Sequence, residues 1–274
     1  MAARALLLSA AFSGAAATIT LPSHFASAMV LQRGAPIRLW GWAGSPVTVT
    51  YRGLALPPAS PDATGRFAVT LPAQTGNATP DAVSLVEASG ASLELEDVVV
   101  GDVFVCSGQS NMAIPVSWTA YYADVLARAD ALGPRLRMLA VAQLDAYTNA
   151  TVPADNFTAA IPWVRAGAET AGAMSATCYH FGAAVATAYP DLAVGIVGSS
   201  WGGVTIQVWM SPTALATCGA STTAEPARAP AVVAAAERAV SGAVGASPLK
   251  PSCLYNSMLH PLLSIPITAI VWYQ

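Results

Sequence analysis

Between residues 19 and 97 apolar and polar positions alternate in short runs: Ile37 to Trp42, Val47 to Arg52, Arg66 to Leu71, Val83 to Ala88 and Leu93 to Val99. A period of two puts one face of a strand into a core and leaves the other in water. Gly34, Gly44, Gly53, Pro57, Pro58, Gly65, Gly76 and Gly90 interrupt the runs at hairpin spacing, which predicts a β-sandwich. After Val98 the pattern changes. Continuous apolar runs at Val99 to Cys106, Leu136 to Val141, Leu192 to Val197 and Ile267 to Tyr273 alternate with helix-like segments at about 119–130, 175–189, 230–241 and 253–262. That alternation predicts helices packed on a parallel sheet. The expected organisation is a β-sandwich over 18–97 and an α/β domain over 98–274.

Residues 1–17 read as a signal peptide, because Arg4 precedes the apolar run Ala5 to Phe12 and Ala15, Ala16 and Ala17 offer a small-residue cleavage site. An ordinary apolar N-terminal helix is the alternative. The sequons at Asn77, Asn149 and Asn156 agree with a secretory route. No later apolar run reaches the roughly 18 residues of a membrane span. A hydrophobic fraction of 54%, a charged fraction of 10% and a net charge of −3 exclude a disordered chain, and the scattered Lys and Arg make no nucleic-acid patch. The four cysteines form no C-x-x-C pair and have no histidine at metal spacing, so disulfides are expected rather than zinc. Of the three pairings, Cys218 with Cys253 is preferred because both flank a loop-like segment; Cys106 and Cys178, in apolar stretches, read as buried thiols.

The first strand of the second region breaks into Ser107, Gly108, Gln109, Ser110, Asn111, Met112. Ligands of open α/β sheets bind beyond the carboxyl ends of the strands, which puts Ser110 on the functional face. Gly108 permits a sharp turn and a close backbone approach. Alone, the serine reads first as a helix N-cap, and only the motifs that accompany it favour a nucleophile. The strand at 192–197 runs into Ser200, Trp201, Gly202, Gly203, where paired glycines suit either an oxyanion hole or a tight turn.

Gly101 to Met112, Ser200 to Gly203, Leu254 to Leu263 and Val271 to Gln274 together resemble the sialic-acid O-acetylesterase family of SGNH-type hydrolases. Met29 to Arg33 and Trp40 to Trp42 look like its N-terminal β domain. The resemblance implies a three-layer, flavodoxin-like parallel sheet and a deacetylase acting on O-acetylated carbohydrates, most directly sialic acids, without metal or organic cofactor. It makes Ser110 the nucleophile and assigns the oxyanion donors to the N–H groups of Ser110 and of Gly202 or Gly203. Such an enzyme is secreted or lysosomal. An acetyl-xylan or other polysaccharide acetylesterase is the runner-up, and a non-catalytic glycan-binding relative stands in another class.

In that family Gly-Glu-x-Asn follows Trp-Tyr-Gln, and Asp-x-x-His comes much later. This sequence ends at Gln274, so the catalytic Asn, Asp and His are expected outside it, the sheet is expected to be incomplete, and the chain alone is expected to be nearly inactive. His260 is placed by its helix at the opposite end of the sheet from Ser110. Trp201 and Trp209 are candidates to stack on a sugar, with core packing favoured for Trp209.

Overall fold

The alternating runs fold as strands β1 (Val30–Gln32), β2 (Ile37–Trp42), β3 (Val47–Tyr51), β4 (Leu54–Ala55), β5 (Arg66–Leu71) and β6 (Asn77–Glu87) in a computed structural model that describes residues 19–218 and 250–274. The predicted signal peptide and the predicted helix at 230–241 lie outside the described residues. Strands β2 and β5 pair as one antiparallel sheet, and β4, β3 and β6 lie in the other. Leu39, Trp40, Val49, Phe67, Val83 and Leu85 share one buried core. Full burial of such side chains stabilises by about 1.5–3 kcal/mol each, which is why the inward positions of the alternating runs are apolar.

The two parts are joined by one strand. Strand β7 (Ser92–Gly108) pairs antiparallel with β6 over its first half, and its second half pairs parallel with strands of the following region. The expected boundary at 97/98 falls inside it. At the handover Asp97 takes a left-handed φ of 57°, and the β6–β7 register shifts nearby. The Asp97 carboxylate accepts from Arg137 at 3.0 Å and from Arg165 at 2.6 Å. Arg137 is wholly buried, and burial pulls its guanidinium below the ordinary value while Asp97 opposes the pull. A buried charge of this kind persists only when paired.

The second region contributes α1 (Ser110–Ala113), α2 (Tyr122–Leu132), β8 (Leu136–Val141), β9 (Ala159–Arg165), α3 (Ala176–Ala188), β10 (Ala193–Ser200), α4 (Pro212–Thr217) and β11 (Ala269–Tyr273). Its sheet order is β9-β8-β10-β7-β11, with β8, β10, β7 and β11 parallel. The edge strand β9 runs antiparallel and had no counterpart in the sequence pattern; it contains Pro162, which lacks an N–H and is tolerated at a sheet edge. From β7 the chain moves to one side for β8 and β10 and returns on the other for β11. The order reverses at β7, so the switch-point crevice opens at its carboxyl end. This is the α/β sheet preceded by a β-sandwich that the sequence predicts.

The preferred cysteine pairing is corrected. Cys106 of β7 is bonded to Cys178 of α3, with Cα atoms 5.8 Å apart, while Cys218 and Cys253 are free. An apolar setting does not argue against a disulfide, because a cystine carries no charge and two apolar stretches that face each other across a core bring their thiols together. Burial pushes the Cys253 thiol up to about 11. The helix expected at 253–262 is a wide turn over Tyr255–Leu259 followed by a tight one over His260–Ser264.

Candidate active site

Strand β7 ends at Gly108, whose φ is 138°. A Cβ there would be driven into the carbonyl of Tyr273 in β11, so both conformation and space require glycine. Three backbone and side-chain bonds then gather the motifs at one point. The Gln109 N–H donates to the Tyr273 carbonyl at 3.0 Å, the Trp201 N–H to the Gly108 carbonyl at 3.0 Å, and the Gln274 amide to the Val204 carbonyl at 3.0 Å. The serine loop, the Trp201–Gly203 loop and the end of β11 are therefore neighbours.

The residue capping α1 is Gln109, and Ser110 is the first residue of the helix. Both the N–H and the hydroxyl of Ser110 donate to Oε1 of Gln109, at 3.1 and 3.0 Å. One carbonyl-type oxygen thus already occupies the spot on which the two Ser110 donors converge. Helix α3 holds α1 from the side: the Ala176 N–H donates to the Ile114 carbonyl at 2.8 Å and the Thr177 hydroxyl to the Asn111 carbonyl at 3.0 Å. The Cys106–Cys178 bond ties the same helix to the strand carrying Ser110.

Gly202 and Gly203 follow β10 in a half-buried turn, Gly203 in the left-handed region at φ 72°. Trp201 and Trp209 are only 3% and 4% exposed, and Trp209 packs edge-on against Trp272 at 5.9 Å. Neither indole has a free face for a sugar. A crevice of about 470 Å³ opens beyond the carboxyl ends of β8 and β10, and its lining includes Ala113, Ser117, Gln143, Ser175 and Ser200. The sequence reading missed Gln143; its place two residues after an apolar strand was the available signal.

The three histidines lie elsewhere. His24 is buried beside Phe25, Phe157 and Trp40, and burial lowers its pKa to about 3. His180 is exposed on α3. His260 donates from Nδ1 to the Ala154 carbonyl at 2.9 Å and lines a small pocket with Trp40 and Arg66 of the sandwich. Other motif residues build the frame. Asp102 accepts from Arg33 at 2.8 and 3.0 Å and from Thr268 at 2.9 Å. Burial pushes the Asp102 carboxyl up, but the hydrogen bonds from Arg33 and Thr268 and the Arg33 charge outweigh it and hold the group below its ordinary range. The side chain of Asn256 donates to the Ala150 carbonyl at 3.1 Å, and Ser199 donates to the Met258 carbonyl at 3.1 Å. Asn77, Asn149 and Asn156 are all exposed. Among the described residues no group of three or more His, Cys, Asp or Glu side chains is placed to hold a metal ion, and no helix is long and apolar enough to cross a membrane.

A family model described as carbohydrate esterase, sialic acid-specific acetylesterase matches residues 100–274. The sialate O-acetylesterase of Homo sapiens is 32% identical over 190 residues, covering 67% of this chain and 32% of that protein. That of Rattus norvegicus is 29% identical over 299 residues, covering 98% of this chain and 54% of that protein. The crystal structure of a carbohydrate acetylesterase from Xanthomonas citri superposes with a TM-score of 0.73 at 29% identity, over 94% of this chain and 51% of that one. The chain spans about a third to a half of the length of these relatives. With the family model matching most of it, on both sides of the Ser110 loop, the chain belongs to the carbohydrate esterase family of sialic acid-specific acetylesterases.

Proposed function

We propose that the protein is a carboxylic ester hydrolase that removes O-acetyl groups from sugars, with Ser110 as its nucleophile. The observation that carries this reading is the place of Ser110 at the strand-to-helix break beyond the carboxyl end of β7, where the bond from the Trp201 N–H to the Gly108 carbonyl brings the Gly202–Gly203 turn beside it. With the Gln109 amide turned away, the Ser110 N–H is free to donate to an acetyl carbonyl oxygen. The Ser110 oxygen then attacks the carbonyl carbon and its proton passes to a base. The charge that develops on the carbonyl oxygen is met by the N–H of Ser110 and that of Gly202 or Gly203. Collapse of the tetrahedral species expels the sugar hydroxyl, which takes up a proton, and leaves acetyl-Ser110. Water then attacks this ester, releasing acetate and restoring the serine. A serine without a base is a weak nucleophile, and none of the three histidines hydrogen-bonds to Ser110, whose hydroxyl is held by Gln109, so the base is assigned to none of them.

The substrate class rests on the family, whose named relatives act on sialate esters or carbohydrate acetates. Secretion or lysosomal delivery is supported by the Cys106–Cys178 disulfide and by the exposure of Asn77, Asn149 and Asn156, which suits N-glycosylation. The test is hydrolysis of an O-acetylated sugar and of 4-nitrophenyl acetate by the full-length gene product and by its Ser110→Ala variant. We expect a loss of at least about 10³-fold in kcat. Retention of activity by an equally well folded variant would remove Ser110 from the chemistry. Glycan binding with no turnover by any form of the protein would favour the non-catalytic reading.

A further inference from the structure

We propose that the crevice beside Ser110 receives an uncharged pyranose ring of the acetylated substrate and that Gln143 is its specificity-determining residue. The inference rests on the reading of Ser110 as nucleophile and narrows what that serine acts on. Two observations put the crevice next to the serine. Its lining residue Ser200 is registered opposite Gly108, two residues before Ser110. Its lining residue Ala113 stands three positions after Ser110, on the same face of α1. A volume of about 470 Å³ falls within the usual range of small-ligand sites, roughly 300–1,000 Å³.

The lining has the amphipathic character of a sugar ring. Pro115, Val141 and Ile161 offer apolar surface for C–H faces, and Ser117, Gln143 and Ser175 offer neutral hydrogen-bonding groups for hydroxyls. Among the described residues that line it, none carries a charge. An ionised carboxylate taken into such a space loses its hydration with no counter-charge, which is unfavourable. A sialic acid bound at this centre would therefore keep its carboxylate outside the crevice, whereas a neutral pyranoside enters whole. Gln143 is the fixed point. Its Nε2 donates to the Ser200 carbonyl at 2.8 Å, which sets the plane of the amide and leaves Oε1 to accept from a sugar hydroxyl. Ser200 leads directly into Trp201, Gly202 and Gly203, so the ring contact and the proposed oxyanion turn share one segment.

The experiment measures binding and turnover separately. Binding of unacetylated methyl glucopyranoside is followed by saturation-transfer NMR on the wild type, Ser110→Ala and Gln143→Leu. We expect the signal to persist in Ser110→Ala and to fall about tenfold in affinity in Gln143→Leu, the size of one hydrogen bond with its partner left unpaired. Turnover by the full-length gene product and its variants is compared on a mono-O-acetylated methyl glucopyranoside, an O-acetylated sialic acid and 4-nitrophenyl acetate. The wild type is expected to favour the glucopyranoside over the sialic acid in kcat/KM, and Gln143→Leu to lose about tenfold more on the glucopyranoside than on the aryl ester. Equal losses on all three esters, unchanged sugar binding, or a preference for the sialic acid overturns the inference. Activity retained by Ser110→Ala overturns the underlying reading instead, and sugar binding still reports on the crevice in that case. If Gln143→Leu melts below the wild type, Gln143→Asn, which keeps the amide and withdraws it by one methylene, gives the same readout.

Discussion

Replacing His24 by phenylalanine tests how a buried neutral imidazole ties stability to pH. His24 is 2% exposed, packed 4.2 Å from Phe25 and stacked at 6.2 Å on Phe157. Its Nδ1 has no hydrogen-bond partner, and its Nε2 lies 3.4 Å from the Ser264 hydroxyl. No carboxylate faces the ring among these contacts, so burial alone sets the shift from 6.5 to about 3. The sign follows from where the protons go. Below pH 6.5 the unfolded chain binds a proton on this ring and the folded chain does not, so stability falls as pH drops from 6.5 toward 3. At pH 5 the loss is about 2 kcal/mol, and over the whole interval it approaches about 5 kcal/mol.

For a chain of this size about 2 kcal/mol corresponds to a fall of roughly 4–8 °C in Tm. The assay is thermal or urea unfolding at pH 7, 6, 5 and 4 for the wild type and for His24→Phe. Phenylalanine fits a cluster that is already aromatic but loses the Ser264 contact, so a constant offset of about 1 kcal/mol between the two proteins is expected at pH 7. The diagnostic is the slope. The variant should be less sensitive to acid than the wild type by about 2 kcal/mol at pH 5, and parallel curves from pH 7 to pH 4 would refute the reasoning. The outcome also bears on destination, because an acidic lumen costs this fold stability that a neutral extracellular medium does not.

Gly108→Ala should strike the site through the backbone. The added methyl meets the Tyr273 carbonyl and a φ of 138° disfavours it in any case, so we expect a stability loss of about 1–3 kcal/mol. We also expect about a 10²-fold fall in kcat from displacement of Ser110, since misplacement by about 1 Å suffices for that; wild-type kcat in a folded variant would remove the constraint. The disulfide gives a chemical count: the denatured, unreduced chain should expose two free thiols, Cys218 and Cys253, and the reduced chain four. Substituting alanine for both Cys106 and Cys178 opens a loop of 72 residues and should cost about 4 kcal/mol in urea unfolding. A loss below about 1 kcal/mol would mean that the bond does not restrain the unfolded chain.

Elements whose pattern is set by one environment were legible. Ile37–Trp42, Arg66–Leu71 and Leu136–Val141 keep the bounds read from the sequence, because each has the same neighbours along its whole length. Strand β7 was not, and the reason is physical. Its first half alternates between core and solvent in the sandwich, while its second half is buried on both faces between β10 and β11, so one strand shows two periodicities and reads as two. Strand β9 was lost to Pro162 and a mixed pattern, both features of an edge. The cysteine pairing failed because chain proximity and a polar setting say little about which thiols face each other across the gap between β7 and α3.

The residues that carry the family resemblance divide into two groups with different legibility. Asp102 with Arg33, Asn256 with Ala150 and His260 with Ala154 join strands and loops. Gly108, Ser110 and Gly203 sit where three segments meet beyond the sheet. Both groups lie in short contiguous motifs, because a strand end and the turn after it must be specified residue by residue. The crevice is built differently. Ser117, Gln143 and Ser175 come from three separate connections, each contributing one neutral polar side chain without a recurring spacing. A motif reading therefore reaches the proposed acyl chemistry and stops short of the sugar, and it is the assembled crevice, with Gln143 pinned to Ser200, that turns the choice of sugar into a measurable question.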